Sequence, residues 1–235
     1  MKDLIKNKKI LTFLAHPDDE VLGAGGMIYE ARRLNSEIHI VIPATGIHAR
    51  RNKESRPART KALEKLRIDC NKALAVLGVS AKHIYLGEFD DNKMDRSSLL
   101  SVIYFLEKHI EKIGPHLIIT HHFNCTNIDH QICYKAAVVA TRPAKKTRHI
   151  NLLSCEIPSS TGYYRPAMWE PNVYINLSER AVDAKIEAMR CYEGEIMPDP
   201  HPRSPEVLKA LAKIRGSESG FFYAEAFMMV KGFLG

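Results

Sequence analysis

The sequence has no long hydrophobic run: its most apolar stretches, residues 99–106 and 117–120, fall far short of the ~18 needed to cross a bilayer. A membrane-spanning chain is therefore excluded, and no membrane insertion is expected. Cysteine is sparse, and Cys70, Cys125, Cys133, Cys155 and Cys191 are odd in number with no C-x-x-C spacing. That argues against a disulfide frame and against a cysteine zinc site, leaving reduced, mostly buried thiols. Glycine and proline number only 13 and 12 in 235 residues, and 45% of the chain is hydrophobic, which rules out a collagen-like or disordered polymer. An export signal is also lacking. Lys6, Lys8 and Lys9 precede an apolar stretch at 10–15, but this is shorter than the roughly 7 to 15 residues a signal core requires, and no small-residue cleavage site follows it. A cytoplasmic protein is expected.

What is present reads as a single α/β domain over residues 1–235. Short apolar runs at 10–15, 38–42, 84–86 and 117–120 alternate with helix-period stretches at 20–34, 57–77 and 99–113 and from about 132 to 140. This is the pattern of β-α-β units around a mostly parallel sheet with helices on both faces, a Rossmann-like architecture. In the longest helix Leu63, Leu66, Cys70, Leu74 and Leu77 make one stripe, and Gly78 stops it. The C-terminal third is more elaborate, with strands expected at 152–157 and 173–177 and helices at 178–192 and 205–214. No linker or internal repeat divides the chain.

In open parallel sheets ligands gather at the carboxyl ends of strands, so polar residues directly after a strand mark candidate sites. His16-Pro17-Asp18-Asp19-Glu20 follows the first strand. An imidazole and a carboxylate three residues apart on a tight turn can reach one cation, with Asp18 left facing its open side. Acidic residues at a helix start are also favoured simply by the helix dipole, so this motif alone does not decide the matter. A second cluster, His121 to His130, likewise follows a buried strand and precedes a helix, and offers the further histidine that a three-ligand catalytic metal site needs.

With both clusters in view, the chain resembles the PIG-L or LmbE-like family of zinc-dependent N-deacetylases. The resemblance rests on His16-Pro17-Asp18-Asp19-Glu20 and Asn127-Ile128-Asp129-His130. It extends through Thr45-Gly46 and its following arginines, Arg215-Gly216, and Ala224-Glu225-Ala226-Phe227. It implies that His16, Asp19 and His130 hold the metal and that Asp18 is the general base for metal-activated water, which removes the N-acetyl group of an amino sugar, free as a glycoside or nucleotide-linked. Zinc is the metal the resemblance favours, although two histidines and a carboxylate also suit iron(II). Many members carry a histidine where this chain has Asn127, an oxyanion-stabilising position that an amide fills only as a neutral donor. Asp129 matches a family aspartate and is expected to orient Asn127 or the His130 ring. Relatives often form homo-oligomers.

Arg50 follows the Thr45-Gly46 turn at the same sheet edge and is the candidate for binding the sugar or its anionic substituent. Arg51 shares that position, whereas the basic residues in the second half of the segment to Arg67 overlay a helix and read as its solvated face. His201-Pro202-Arg203-Ser204 reads as a proline-rich turn ending in a serine cap, with a pocket-capping role as the other reading. Asp90-Asp91-Asn92 reads as an acidic turn rather than a second metal site. Trp169, with Tyr163 and Tyr164, offers either a stacking face or core packing. Two rival functions remain: an amidase for another N-acyl substrate such as a cysteine S-conjugate, and a nucleic-acid-binding module suggested by the net charge of +7. No nucleic-acid motif accompanies that charge, so no nucleic-acid partner is expected.

Overall fold

The computed structural model describes residues 2–45, 56–143, 149–163 and 169–233. After a single helical turn, α1 (Lys2–Ile5), the first two thirds alternate strand and helix. They run β1 (Lys9–Phe13), α2 (Asp19–Arg33), β2 (Glu37–Ile42), α3 (Arg56–Val76), β3 (Ile84–Leu86), α4 (Leu99–Ile113), β4 (Leu117–His121), α5 (Ile128–Ala140) and β5 (Asn151–Cys155). Then come β6 (Val173–Asn176), α6 (Glu179–Arg190), α7 (Pro205–Ser219) and β7 (Ala224–Lys231). All seven strands form one sheet in the order β3-β2-β1-β4-β5-β7-β6. The β3-β2-β1-β4-β5 part is parallel, while β7 runs antiparallel to both of its neighbours.

The parallel strands are apolar on both faces because both faces are covered. Ile10, Ile38, Ile40 and Ile42 pack with residues of α2, α3, α6 and α7. Leu11, Phe13, Val41 and Ile118 face the other way, toward Val102 and Leu106 of α4 and Cys133 and Ala137 of α5. The expected architecture is thus the observed one, with one strand the sequence reading did not assign. β7 inserts between β5 and β6, and its alternating Ala224-Glu225-Ala226-Phe227 looks too short of β-branched residues to announce a central strand. Lys61, Lys65 and Arg67 lie exposed on α3, the solvated face expected of them. Helix α5 begins a turn earlier than its apolar period suggests. Asn127 caps it, accepting from the backbone N–H groups of Asp129 and His130, which draws both residues into the first turn.

Helix α2 is fastened to the C-terminal part by a buried ion pair. The Lys185 ammonium donates to the Leu22 carbonyl at 2.8 Å and to Glu225 Oε1 at 2.7 Å, and Glu225 in turn accepts from the backbone N–H groups of Gly26 (2.9 Å) and Met27 (2.7 Å). The pair enters the helix where its ladder would run from Gly26 N–H to Leu22 C=O. Space for it exists because α2 carries glycines here. A Cβ on Gly26 would lie 2.6 Å from Leu177 Cδ1 and 3.2 Å from the Glu225 carboxyl carbon. Gly26→Ala is therefore expected to destabilise the protein by about 1–3 kcal/mol, the range of overpacking, despite alanine's better helix propensity. Thermal unfolding checks this; an unchanged or raised midpoint would show that Leu177 and Glu225 can move aside.

Candidate active site

Strand order reverses between β1 and β4, the two adjacent parallel strands at the centre of the sheet, and the crevice beyond their carboxyl ends is where such sheets bind ligands. Each strand delivers one polar cluster there. After β1 the chain turns through His16 and Pro17 to Asp18, whose φ of 111° is a conformation that few residues other than glycine, Asn and Asp adopt. That turn opens α2 and sets Asp18 and Asp19 on different sides. Asp19 Oδ2 lies 3.2 Å from His16 Nδ1 and 3.2 Å from His130 Nε2, which are 3.3 Å from each other. The two clusters from opposite ends of the first 130 residues thus meet in a triangle of two ring nitrogens and one carboxylate oxygen.

The remaining ring nitrogens are held from outside. His16 Nε2 faces Asp129 Oδ2 at 3.0 Å and Asp91 Oδ1 at 3.1 Å. His130 Nδ1 meets Cys125 Sγ at 3.1 Å, and the His130 ring stacks on that of His121 with centroids 3.7 Å apart. His121 accepts the Ala15 backbone N–H at Nε2 (2.8 Å), and burial holds its pKa well below the ordinary value, so it stands as a neutral plate beneath His130. Burial opposes charge on His130, yet Asp19 and Cys125 outweigh it and lift its pKa to about 9. His16 is likewise disfavoured as a cation by burial but raised well above the ordinary value by Asp129, Asp19 and Asp91. Burial opposes charge on Asp19 too, yet the charge and hydrogen bond of His130 and the hydrogen bond of His16 hold it well below the usual carboxylate range. The field inside the triangle favours positive charge.

Asp18 is the neighbouring carboxylate outside the triangle. Burial raises its pKa well above the usual range, opposed by Arg203, whose Nη1 donates to Asp18 Oδ2 at 2.8 Å and also engages Glu195. Beneath, Glu20 accepts the Asp18 backbone N–H (3.1 Å) and the Tyr192 hydroxyl (2.6 Å), and burial pushes its pKa up to about 7.

Several placements differ from the sequence reading. The Asp129 carboxylate orients neither Asn127 nor the His130 ring. It accepts the backbone N–H groups of Asn92 (2.6 Å) and Met94 (3.1 Å) and faces His16, because capping turns it away from the ring that follows it in the helix. Asn127 uses its amide oxygen as the cap of α5, and its Nδ2 donates to Asn92 Oδ1 at 3.1 Å, so the expected oxyanion donor is engaged elsewhere. The acidic turn is more than turn chemistry: it brings Asp91 to His16 and Asn92 to both Asp129 and Asn127. Arg203 is more than part of a cap, since the turn places its guanidinium on Asp18. No local signal marks either residue, because both contacts span long stretches of chain. Trp169 packs edge-on against His122 at 5.1 Å, in keeping with a packing role. Gly46, Arg50, Arg51 and Tyr164 lie outside the described residues.

The sequence matches the family model of PIG-L, GlcNAc-PI de-N-acetylase, over residues 11–141, more than half of the chain and all of the two polar clusters. This chain belongs to the PIG-L family. Solved structures similar to it include N,N'-diacetylchitobiose deacetylase from Pyrococcus horikoshii, 20% identical with TM-score 0.74 over 95% of this chain and 84% of that one. The A40926 pseudoaglycone deacetylase Dbv21 is 20% identical with TM-score 0.73, covering 95% and 97%. GalB, the 4-carboxy-2-hydroxymuconate hydratase from Pseudomonas putida KT2440, is 20% identical with TM-score 0.73, covering 97% and 98%. At these identities the likeness is one of fold, and GalB indicates that the fold is not tied to a single reaction. PIG-L membership supports an amide-hydrolysing deacetylase, and PIG-L deacetylases are metal-dependent. Among the described residues no helix is long and apolar enough to cross a membrane.

Proposed function

We propose that this chain is a metal-dependent N-deacetylase acting on an N-acetylated amino sugar, with His16, Asp19 and His130 as metal ligands and Asp18 as general base. The observation that carries this reading is the donor triangle. Ligand atoms about 2.0–2.2 Å from a common centre at tetrahedral angles stand about 3.3–3.6 Å apart, and the three separations of 3.2, 3.2 and 3.3 Å lie at the short end of that range. Each ring is also oriented from behind, as ligating histidines are. The donor set suits zinc and also iron(II).

A divalent cation held there supplies the Lewis acidity that makes the acetyl carbonyl a better electrophile and the attacking water a better nucleophile. The chain's own groups handle the proton. Asp18 takes it from water as the new C–O bond forms and returns it to nitrogen as the C–N bond breaks, so acetic acid and the neutral amine leave and exchange their last proton in solvent as acetate and ammonium. Burial gives Asp18 the proton affinity this requires, while the Arg203 guanidinium opposes that rise and aims the carboxylate. Asp129 and Asp91 hold the His16 ring with Nδ1 inward, and Asn127 contributes by fixing the start of α5 and so the position of His130. Arg50 we assign to the sugar's hydroxyl or anionic substituent.

The test is amine release from a panel of acetylated sugars, free, glycosidic and nucleotide-linked, alongside N-acetylcysteine conjugates. Release from one sugar class is expected, abolished by chelator and restored by Zn²⁺ or Fe²⁺. Preference for the cysteine conjugates would move the substrate assignment. Activity that survives complete metal removal, or hydration of an enol acid with no amide cleavage, would overturn the deacetylase reading.

A further inference from the structure

At the opposite end of the sheet, the face of β2 that carries Glu37 and His39 brings a second set of donors together. Residues two apart on a strand share a face, and the parallel register that pairs Ile40 with Ile84 puts His83, the last residue of the turn before β3, beside His39. Glu37 Oε1 lies 2.9 Å from His39 Nε2 and 3.5 Å from His83 Nε2, and the two rings lie with centroids 4.4 Å apart. These are again two ring nitrogens and a carboxylate oxygen, all within 4.8 Å of one another. The far nitrogen of His39 meets the Tyr85 hydroxyl at 3.5 Å, the outward support a ligating ring needs. His39 is 6% exposed, His83 20% and Glu37 41%, so the cluster is anchored in the protein and open to solvent on one side. His39 pairs with Leu11, five residues before His16, which separates this cluster from the catalytic triangle by on the order of 16 Å along the strand direction.

We propose that Glu37, His39 and His83 form a second divalent-metal site, selective for zinc-like borderline ions and separate from the catalytic one. The carboxylate oxygen stands 2.9 and 3.5 Å from the two ring nitrogens, distances that span the short end of the roughly 3.3–3.6 Å expected between ligands of a tetrahedral zinc, with the fourth position left to water. Imidazole nitrogen in the majority excludes magnesium and calcium as the preferred occupants. Burial lowers the pKa of His39, which favours its neutral, ligating form, and although burial opposes charge on Glu37, the His39 hydrogen bond and the nearby Lys9 ammonium outweigh it and favour the carboxylate. Lys9, paired with Glu37 across the strands, directs its ammonium to the Ile113 carbonyl at 3.3 Å. Occupation would tie the turn at Ala81–His83 to β2. The edge strand β3 pairs with the sheet through only three residue pairs, so a cross-link here would reinforce a short edge.

The site is tested on the full chain stripped with chelator and titrated with Zn²⁺, and with Co²⁺ read by its visible absorption. The wild-type chain is expected to take up two equivalents. His83→Asn and Glu37→Gln, at the two more exposed ligands, should each lose one equivalent while amine release is unchanged. His16→Asn should lose the other equivalent and still show a thermal midpoint that rises with added Zn²⁺, a rise that disappears in the His16→Asn/His83→Asn double variant. If His83→Asn fails to fold, Glu37→Gln and the wild-type count decide. A wild-type metal count that Glu37→Gln and His83→Asn both leave unchanged overturns the proposal whether or not the deacetylase assignment stands.

Discussion

Asp18→Asn is expected to retain metal and lose about 10²- to 10⁴-fold in turnover, the span of general acid-base catalysis and about 2.7–5.4 kcal/mol of barrier. Asparagine is the informative replacement for two structural reasons. It tolerates the positive φ of 111° that Asp18 adopts at the head of α2, where alanine would add strain. It also leaves the Arg203 guanidinium paired with Glu195, so no buried cation is stranded. Lost activity can then be attributed to the missing base. The check is kcat together with bound metal per chain. A variant that turns over at the wild-type rate would remove Asp18 from the chemistry, and one that loses its metal would make Asp18 part of the binding set.

The largest stability effect is expected at Glu225. Glu225→Ala strands the Lys185 ammonium beside the Leu22 carbonyl and leaves the Gly26 and Met27 N–H groups without the carboxylate. Breaking a buried pair on one side costs about 3–5 kcal/mol, which for a chain of this size lowers the thermal midpoint by roughly 6–20 °C. Replacing both partners with apolar residues should cost less than the sum of the single losses, because no charge is stranded and the α2 ladder can close on itself. A midpoint for Glu225→Ala within about 2 °C of wild type would mean that the ladder closes even in the single variant. Because α2 opens with Asp18 and Asp19, the same substitution is expected to loosen the active site as well as the fold.

The two effects sit at opposite ends of legibility. The two polar clusters, 16–20 and 121–130, could be picked out of the sequence because each follows a strand buried on both faces, and the resemblance to the PIG-L family then singled out His16, Asp19 and His130 within them. The β-α-β rhythm was readable for a related reason: burial on two faces writes continuous apolar runs, and burial on one face writes a 3.6 period. Glu225 carried no comparable mark. In an alternating strand it looks like an ordinary outward charge, and only the insertion of β7 between β5 and β6 brings it under α2, 198 residues away from Met27.

By itself the sequence determined the parallel part of the sheet, the faces its helices bury, and which residues have the chemistry to hold a cation, since these follow from local patterns of polarity and backbone preference. Only the tertiary structure decided the pairings. It sent Asp129 to His16 rather than to His130, set Arg203 on Asp18 and Asp91 on His16, committed Asn127 to a helix cap, and brought His83 beside His39. Each of these contacts depends on how distant loops and strands are stacked, and stacking is settled by the summed packing of the core, which no short window of sequence contains.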